Sequence, residues 1–261
     1  MKSSNDCVKH ELRKDVFWIT IDRPELRNAI NEHVIAGISD GLTQATRLQG
    51  VRAVVLTGAG DRAFCAGADL RPDSEIFEFD FSQPRTEYAD LLRQGVGMDI
   101  PLVARVNGTC MAGGMGLLSM CDLAVASAQA KFGLPEVKVG MFPMQVAAVM
   151  QHLVPRRKFA EMCITGEPLT AAEALQLDLI NYVVDPASLD TKVQWLLDRI
   201  TDKSPTAIRR GKHALRSITD MTFAQSIAYM EAQLGSLRLT KDAAEGLAAF
   251  ADKRVPAWTG H

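Results

Sequence analysis

The sequence predicts a layered α/β domain, and three features of the 261-residue chain lead to that prediction. Short apolar runs alternate with segments of helical periodicity up to about residue 185, the pattern of helices packed on a mostly parallel sheet. Hydrophobic residues make up 47% of the chain and charged residues 23%, the composition of a globular protein with a substantial core. The length fits one such domain with an additional segment.

The first quarter of the chain predicts strands separated by a helix. Val16–Asp22 has the alternation and the β-branched and aromatic residues of a strand, and Asn28–Leu48 has apolar residues at helical spacing. Val51–Thr57 is a nearly continuous apolar run, which is typical of a strand buried on both faces. Phe64–Leu70 begins as a short strand and ends in a glycine loop.

The middle of the chain contains an insertion and then returns to the same alternation. Arg71–Thr86 combines prolines with acidic and aromatic residues, which predicts a mobile insertion. Such loops are more often solvated than lids, and a position flanking the substrate is the alternative. Glu87–Met98 resumes helical spacing, and Gly113–Met120 predicts a helix opened by glycines. Leu102–Val106 and Leu123–Ala126 predict two further strands.

The C-terminal part of the chain is mostly helical from about residue 161. We expect residues 1–187 to form the α/β core and residues 188–261 to form a helical region. The helical region has too few apolar residues for a core of its own, so it should pack on the main domain or on another subunit.

Composition and charge exclude several functional classes. Lys and Arg number 29 against 31 Asp and Glu, giving a net charge of −2 that does not favour nucleic-acid binding. The five cysteines include no CxxC pair and the five histidines show no metal spacing, so neither disulfides nor a metal site is expected. The polar N-terminus and the lack of a 20-residue apolar run predict a cytoplasmic protein without membrane contact.

Two glycine-rich loops are the first candidates for a functional site. Cys65-Ala66-Gly67-Ala68-Asp69 and the loop from Gly108 to Gly116 can both present backbone N–H groups without obstruction by side chains. The second loop lacks the third glycine of a dinucleotide-binding motif and the lysine of a P-loop, and the chain contains no G-x-S-x-G motif. These mismatches argue against nucleotide and serine-hydrolase chemistry.

A pair of separated backbone donors suits a thioester carbonyl that becomes an enolate. Removal of one such donor typically costs about 3–4 kcal/mol of barrier. Chemistry at the α-carbon also needs a base, and the candidate is Glu136 in Phe132-Gly-Leu-Pro-Glu-Val. A Pro-Glu pair is also a common start of a helix, so the glutamate alone is a weak signal.

The order of these motifs resembles that of the enoyl-CoA hydratase/isomerase (crotonase) superfamily over nearly the whole chain. The matching segments are Asp22-Arg23-Pro24, Asn28-Ala29, Val54-Val55-Leu56-Thr57-Gly58, Ala63–Leu70, Val106-Asn107-Gly108, Ala112-Gly113-Gly114, Cys121-Asp122, Phe132–Glu136 with Gly140, Thr165–Pro168 with Ala171 and Ala174, and Glu245-Gly246 with Phe250 and Lys253-Arg254-Val255-Pro256.

The resemblance implies a spiral of ββα repeats and a C-terminal helical trimerisation region, assembled as a homotrimer or a dimer of trimers. It implies an acyl-CoA thioester substrate, with coenzyme A as part of the substrate and no separate cofactor. The thioester oxygen would sit between the N–H groups of Ala66 and Gly113, and Glu136 would transfer the proton. The residues implied to lie near coenzyme A are Leu26, Arg27, Ala68, Asp69, Leu70 and Lys253.

One departure from the family pattern concerns the reaction. Hydratases of this family with two catalytic glutamates carry one at the position of Gly116 and one at that of Glu136, so here one carboxylate is left. A double-bond shift needs one base, whereas hydration needs an activated water and a proton. Relatives with glycine at this position also hydrate, so hydration of a 2-enoyl-CoA is favoured. The alternatives are an enoyl-CoA isomerase and a non-catalytic CoA-ester binding protein.

Methionines near the two loops suggest an apolar acyl pocket, because thioethers adapt to irregular apolar ligands. Ordinary core filling is an equally good explanation for them. The residues predicted to line the pocket are Met111, Gly116, Met141 and Met144. The family's hydrolases pair their glutamate with an aspartate where this chain has Met144, which makes thioester hydrolysis a minor alternative.

Overall fold

The computed structural model describes residues 7–71, 74, 76 and 80–261. Within that part of the chain ten strands form two sheets. In chain order they are β1 (Val8–Arg13), β2 (Val16–Ile21), β3 (Ala53–Gly58), β4 (Ala63–Cys65), β5 (Leu102–Val106), β6 (Thr109–Met111), β7 (Leu123–Ser127), β8 (Lys131–Gly133), β9 (Leu169–Thr170) and β10 (Tyr182–Val184).

The two sheets are built by a chain that moves repeatedly from one to the other. The larger sheet has the order β1-β2-β3-β5-β7-β10 and is parallel except for the β1–β2 hairpin. The smaller sheet has the order β4-β6-β8-β9, with β9 antiparallel to its neighbour. Because β3 to β8 alternate between the sheets, each turn of the chain adds one strand to each sheet, as expected for a ββα spiral.

Ten α-helices connect and cover the sheets in the described residues. They are α1 (Glu32–Arg47), α2 (Glu87–Gly97), α3 (Gly113–Ser119), α4 (Met144–Met150), α5 (Arg156–Thr165), α6 (Ala171–Gln176), α7 (Leu189–Thr201), α8 (Pro205–Ser217), α9 (Phe223–Leu237) and α10 (Lys241–Asp252). Among them no helix has the length and apolar character needed to cross a membrane.

The main core lies between the larger sheet, α1 and the smaller sheet. The Asn31 side chain caps α1 by accepting a hydrogen bond from Val34 N at 3.0 Å. From there Val34, Ile38 and Leu42 follow helical spacing and are fully buried against the sheet. The predicted helix over residues 28–48 therefore exists, but its cap places its start at Glu32.

The opposite face of the larger sheet is covered by the first helix of the predicted C-terminal region. Leu189, Val193 and Leu197 of α7 form a second buried cluster with Trp18 and Val55. The later helices are more exposed, and α9 buries none of its residues. The region from residue 188 thus begins with a helix that completes the core and continues with helices whose apolar side chains reach the surface.

One strand was not among the predicted elements. Val8–Arg13 forms edge strand β1 although it is highly charged, because an edge strand pairs with one neighbour, mainly through backbone hydrogen bonds. The short strand predicted at the start of Phe64–Leu70 is β4, which ends at Cys65, where the predicted glycine loop begins. Of the predicted insertion Arg71–Thr86, residues 72, 73, 75 and 77–79, including the carboxylates at 73, 75 and 78, lie outside the described residues.

Candidate active site

A cavity of about 670 Å³ lies where the two glycine loops meet the segment that carries Glu136. A volume of this size is typical of small-molecule sites. Its wall includes Ala66, Ala68 and Gly113 from the loops and Glu136 from the segment after β8. The insertion predicted to be a solvated loop contributes as well: its described residues in the wall are Ile76, Asp80, Gln83, Arg85 and Thr86.

The first glycine loop makes Ala68, rather than Ala66, the available donor. The Ala66 N–H already donates to the Arg27 carbonyl at 3.1 Å, which revises the prediction for this residue. The Ile30 N–H donates to Gly67 O at 2.8 Å, in a parallel bridge between Ile30 and Ala68. Along an extended backbone, successive N–H groups point to opposite sides, so the Ala68 N–H faces away from Ile30. Within the described residues it has no acceptor.

The second glycine loop lies directly against the first. A Cβ atom built on Gly67 would be 2.7 Å from Ala112 Cβ and 3.6 Å from Gly113 N, so only glycine permits this approach. Gly113 is the first residue of α3, and its N–H has no acceptor in the described part of the molecule. Ala112 has φ +49° and ψ −121°, an unfavourable conformation for a residue with a side chain that sets the direction of the next N–H.

A buried ion pair fixes the backbone that carries Ala68. Arg23 donates to the Asp69 carboxylate at 2.7 Å and to Ala29 O at 2.6 Å, and both side chains of the pair are almost fully buried. The Arg71 side chain donates two further hydrogen bonds to the Asp69 carboxylate, both at 2.9 Å. Hydrogen bonds from Arg71 and Arg23 lower the pKa of Asp69 to about 2, so the carboxylate stays charged and the clamp stays closed at neutral pH.

The predicted base lies in the cavity wall with a free oxygen. Glu136 is in the first turn of the short 3-10 helix Pro135–Val139 that follows β8. Its Oε2 atom is buried and has no hydrogen-bond partner among the described residues. Burial raises the pKa of the Glu136 carboxyl above its ordinary value, which brings the group closer to the range where it can both accept and return a proton.

The position of the missing second glutamate is filled by a tyrosine from another element. A Cβ atom on Gly116 would lie 2.2 Å from the Tyr88 hydroxyl oxygen, and that hydroxyl donates to Gly113 O at 2.5 Å. Tyr88 belongs to α2 and lines the cavity, whereas Gly116 is buried outside its wall. The predicted role of Gly116 in the acyl pocket is therefore taken by Tyr88.

The remaining predicted residues fall into two groups. The residues that line the cavity are Ala68, Leu70, Met141 and Met144. Met144 is 73% exposed, so it lies at the mouth rather than at the base. The residues that do not line the cavity are Leu26, Arg27, Asp69, Met111 and Lys253.

Two functional candidates were missed by the sequence analysis. Tyr88 is 28 positions before Gly116, and nothing in the sequence links the two residues. Glu32, at the start of α1, also lines the cavity, and its buried Oε2 has no partner among the described residues. In the sequence, Glu32 is a carboxylate in the first turn of a helix. Such a residue is normally explained by its favourable interaction with the helix dipole, so it does not indicate a site. The described residues contain no cluster of three or more side chains suited to a metal ion.

Comparisons with known proteins identify the family that this chain is similar to. The family model for enoyl-CoA hydratase/isomerase matches residues 11–261. The (E)-benzylidenesuccinyl-CoA hydratase of Thauera aromatica is 32% identical over 97% of this chain and 99% of its own length. Solved enoyl-CoA hydratases from Mycobacterium smegmatis and Bacillus anthracis superpose with TM-scores of 0.88 and 0.90. They are 31% and 26% identical, and each alignment covers at least 97% of this chain and 98% of the other.

The fold and the acyl-CoA thioester chemistry expected from the sequence are thereby confirmed at the level of the family. The matched region spans strands β2 to β10, the two glycine loops, Glu136 and the C-terminal helices. The chain belongs to the enoyl-CoA hydratase/isomerase family.

Proposed function

We propose that the protein hydrates 2-enoyl-CoA thioesters, with Ala68 and Gly113 as backbone donors and Glu136 as the proton-transfer group. The observation that carries this proposal is that two N–H groups without acceptors and the unpartnered Oε2 of Glu136, judged among the described residues, share a single cavity. Unused donors and acceptors are rare in folded proteins unless a ligand completes them.

The reaction follows from this arrangement. The substrate's thioester oxygen accepts hydrogen bonds from Ala68 N and Gly113 N, which stabilises the negative charge as an enolate forms. Glu136 takes a proton from water while the water oxygen bonds to C3 and the double-bond electrons move towards the thioester oxygen. The protonated Glu136 then delivers the proton to C2, which completes the addition of water.

The structure also supports one alternative reaction. With glycine at position 116, Glu136 is the only carboxylate at the two positions that the two-glutamate hydratases use, and one base is enough to move a proton from C4 to C2. That arrangement favours double-bond isomerisation. Hydration is preferred because the Thauera aromatica and Mycobacterium smegmatis relatives are hydratases by name. The non-catalytic alternative is less well supported, since both donors and Glu136 are present.

The assembly is proposed from the C-terminal helices. Helix α9 buries no residue, and the exposed apolar side chains of this region include Phe223, Ile227, Leu234 and Phe250. These residues suit a homotrimer or a dimer of trimers, in which Lys253 would approach a neighbouring coenzyme A. We further propose that the protein acts in the cytoplasm, without a separate cofactor.

Ultraviolet monitoring of the conjugated enoyl-thioester band tests the reaction. Crotonyl-CoA, cinnamoyl-CoA and a 3-enoyl-CoA are compared with the wild-type protein. Loss of the band from a 2-enoyl ester supports hydration, and growth of the band from the 3-enoyl ester alone would establish isomerisation instead. Glu136→Gln should lower turnover by about 100-fold or more while retaining ester binding, because it removes the proton-transfer group. Glu161→Gln, an exposed change outside the cavity, is the matched control and should leave turnover unchanged.

A further inference from the structure

Tyr88 is the polar side chain that occupies the space of the missing carboxylate. Its hydroxyl oxygen lies 2.2 Å from the position of a Cβ atom on Gly116 and 3.5 Å from that of a Cβ atom on Gly113. The tyrosine therefore places an oxygen beside the oxyanion loop, in the same cavity wall as Glu136. A side chain on residue 116 and the Tyr88 hydroxyl cannot occupy this space together.

The hydrogen bonding of Tyr88 leaves its oxygen free to accept. The Tyr88 hydroxyl donates its proton to Gly113 O at 2.5 Å. Its oxygen can therefore act towards a ligand only as a hydrogen-bond acceptor. A water molecule that donates one proton to Tyr88 and the other to Glu136 would be held between the two side chains. Its own oxygen lone pair would then be directed at the substrate.

We infer that Tyr88 is a further catalytic residue, whose hydroxyl oxygen holds the attacking water for deprotonation by Glu136. The inference rests on the proposed hydration. Tyr88 keeps its proton throughout: one water proton goes to Glu136 and then to C2, and the remaining hydroxide bonds to C3. Burial raises the pKa of the Tyr88 phenol well above its ordinary value, consistent with a group that stays protonated during turnover.

Tyr88→Phe removes the oxygen and keeps the ring that fills the space. Two reactions are measured with this variant: hydration of the 2-enoyl ester on which the wild type is fastest, and exchange of the C2 proton of the corresponding saturated ester in D2O. Exchange needs Glu136 and the two N–H groups but no attacking water. We expect kcat for hydration to fall by about 100-fold and exchange to stay within about threefold of the wild type.

Three outcomes would overturn the inference. Hydration by Tyr88→Phe within about threefold of the wild type would show that the hydroxyl is not used. An equal fall of hydration and exchange would show that Tyr88 only supports the Gly113 loop. A wild type that exchanges the C2 proton but hydrates no ester would contradict the proposed function itself, and the inference with it. Tyr182→Phe is the matched control, since Tyr182 lies in β10 and outside the cavity wall.

Gly116→Ala provides a second test through a different residue. Its methyl group must displace the Tyr88 hydroxyl, so it should lower hydration as Tyr88→Phe does. The double variant should be no slower than Tyr88→Phe alone, because both changes remove the same oxygen. If the losses of hydration rate from the two single changes add in the double variant, the two changes do not act through the same oxygen. A loss of hydration in Glu32→Gln with normal hydration in Tyr88→Phe would assign the water to Glu32 instead of Tyr88.

Discussion

Replacing Gly67 by alanine tests whether contact between the two glycine loops is what creates the site. The new Cβ would lie 2.7 Å from Ala112 Cβ and 3.2 Å from Met111 O. Carbon atoms in contact normally lie about 3.5–4.0 Å apart, so the loops must separate by about 1 Å. Residue 67 also has φ +98°, a conformation that costs a residue with a side chain about 1–2 kcal/mol.

The two effects predict different magnitudes for activity and stability. Misplacement of a reacting group by about 1 Å costs about 100-fold in rate, so kcat should fall by about that factor. The backbone strain and the overpacking, at about 1–3 kcal/mol for the latter, together should lower the free energy of unfolding by about 2–5 kcal/mol. Steady-state hydration kinetics and urea denaturation measure the two quantities.

Gly50→Ala separates strain from loop contact. Gly50 has φ +85°, but a Cβ there would meet no atom of the described residues within 4 Å. This control should lose about 1–2 kcal/mol of stability from its backbone conformation alone and keep its kcat. A Gly67→Ala variant that is folded and retains kcat within threefold of the wild type would refute the idea that loop contact positions the donors.

Three further predictions concern charge. Asp69→Asn leaves Arg23 buried without its carboxylate and should lower the free energy of unfolding by about 3–5 kcal/mol, measured by urea denaturation; a loss below about 1 kcal/mol would contradict the clamp. The raised pKa of Glu136 should place the acid limb of the pH profile of kcat/KM above 4.5, the ordinary value for glutamate. The folded state binds the Glu136 proton more tightly than the unfolded state does. The free energy of unfolding should therefore decline as pH rises from the ordinary glutamate range through the raised pKa, and Glu136→Gln should remove that decline. If the free energy of unfolding of Glu136→Gln depends on pH as that of the wild type does, burial of Glu136 does not shift its pKa.

The central strands could be predicted from the sequence because their apolar residues are concentrated in runs of strand length. Ala53–Gly58 is one example, since all six of its residues are buried. Val8–Arg13 could not be predicted, because an edge strand is stabilised by backbone pairing with one neighbour and tolerates charged side chains. The three-residue strands of the smaller sheet are too short to show any period.

The sequence predicted which loops form the site, but not which N–H groups and side chains of those loops and their neighbours are available to a ligand. The motif Cys65-Ala66-Gly67-Ala68 contains two alanines that look equivalent in the sequence, and only the bond from Ala66 N to Arg27 O distinguishes them. That bond depends on where the chain before α1 passes the loop, which is a tertiary property. Tyr88 was missed for a related reason: its meeting with Gly116 depends on how α2 packs against α3.

The cavity wall combines several local arrangements that are unfavourable on their own. Ala112 has a positive φ, and Glu32 and Glu136 each have a buried oxygen without a partner among the described residues. Each costs stability, and a chain optimised for folding alone would avoid all three. They are tolerated because the Arg23–Asp69 clamp and the packed sheets fix the surrounding backbone. Since the three meet around one cavity, a bound ester and water that complete these hydrogen bonds account for them together, whereas a purely structural explanation would need a separate reason for each.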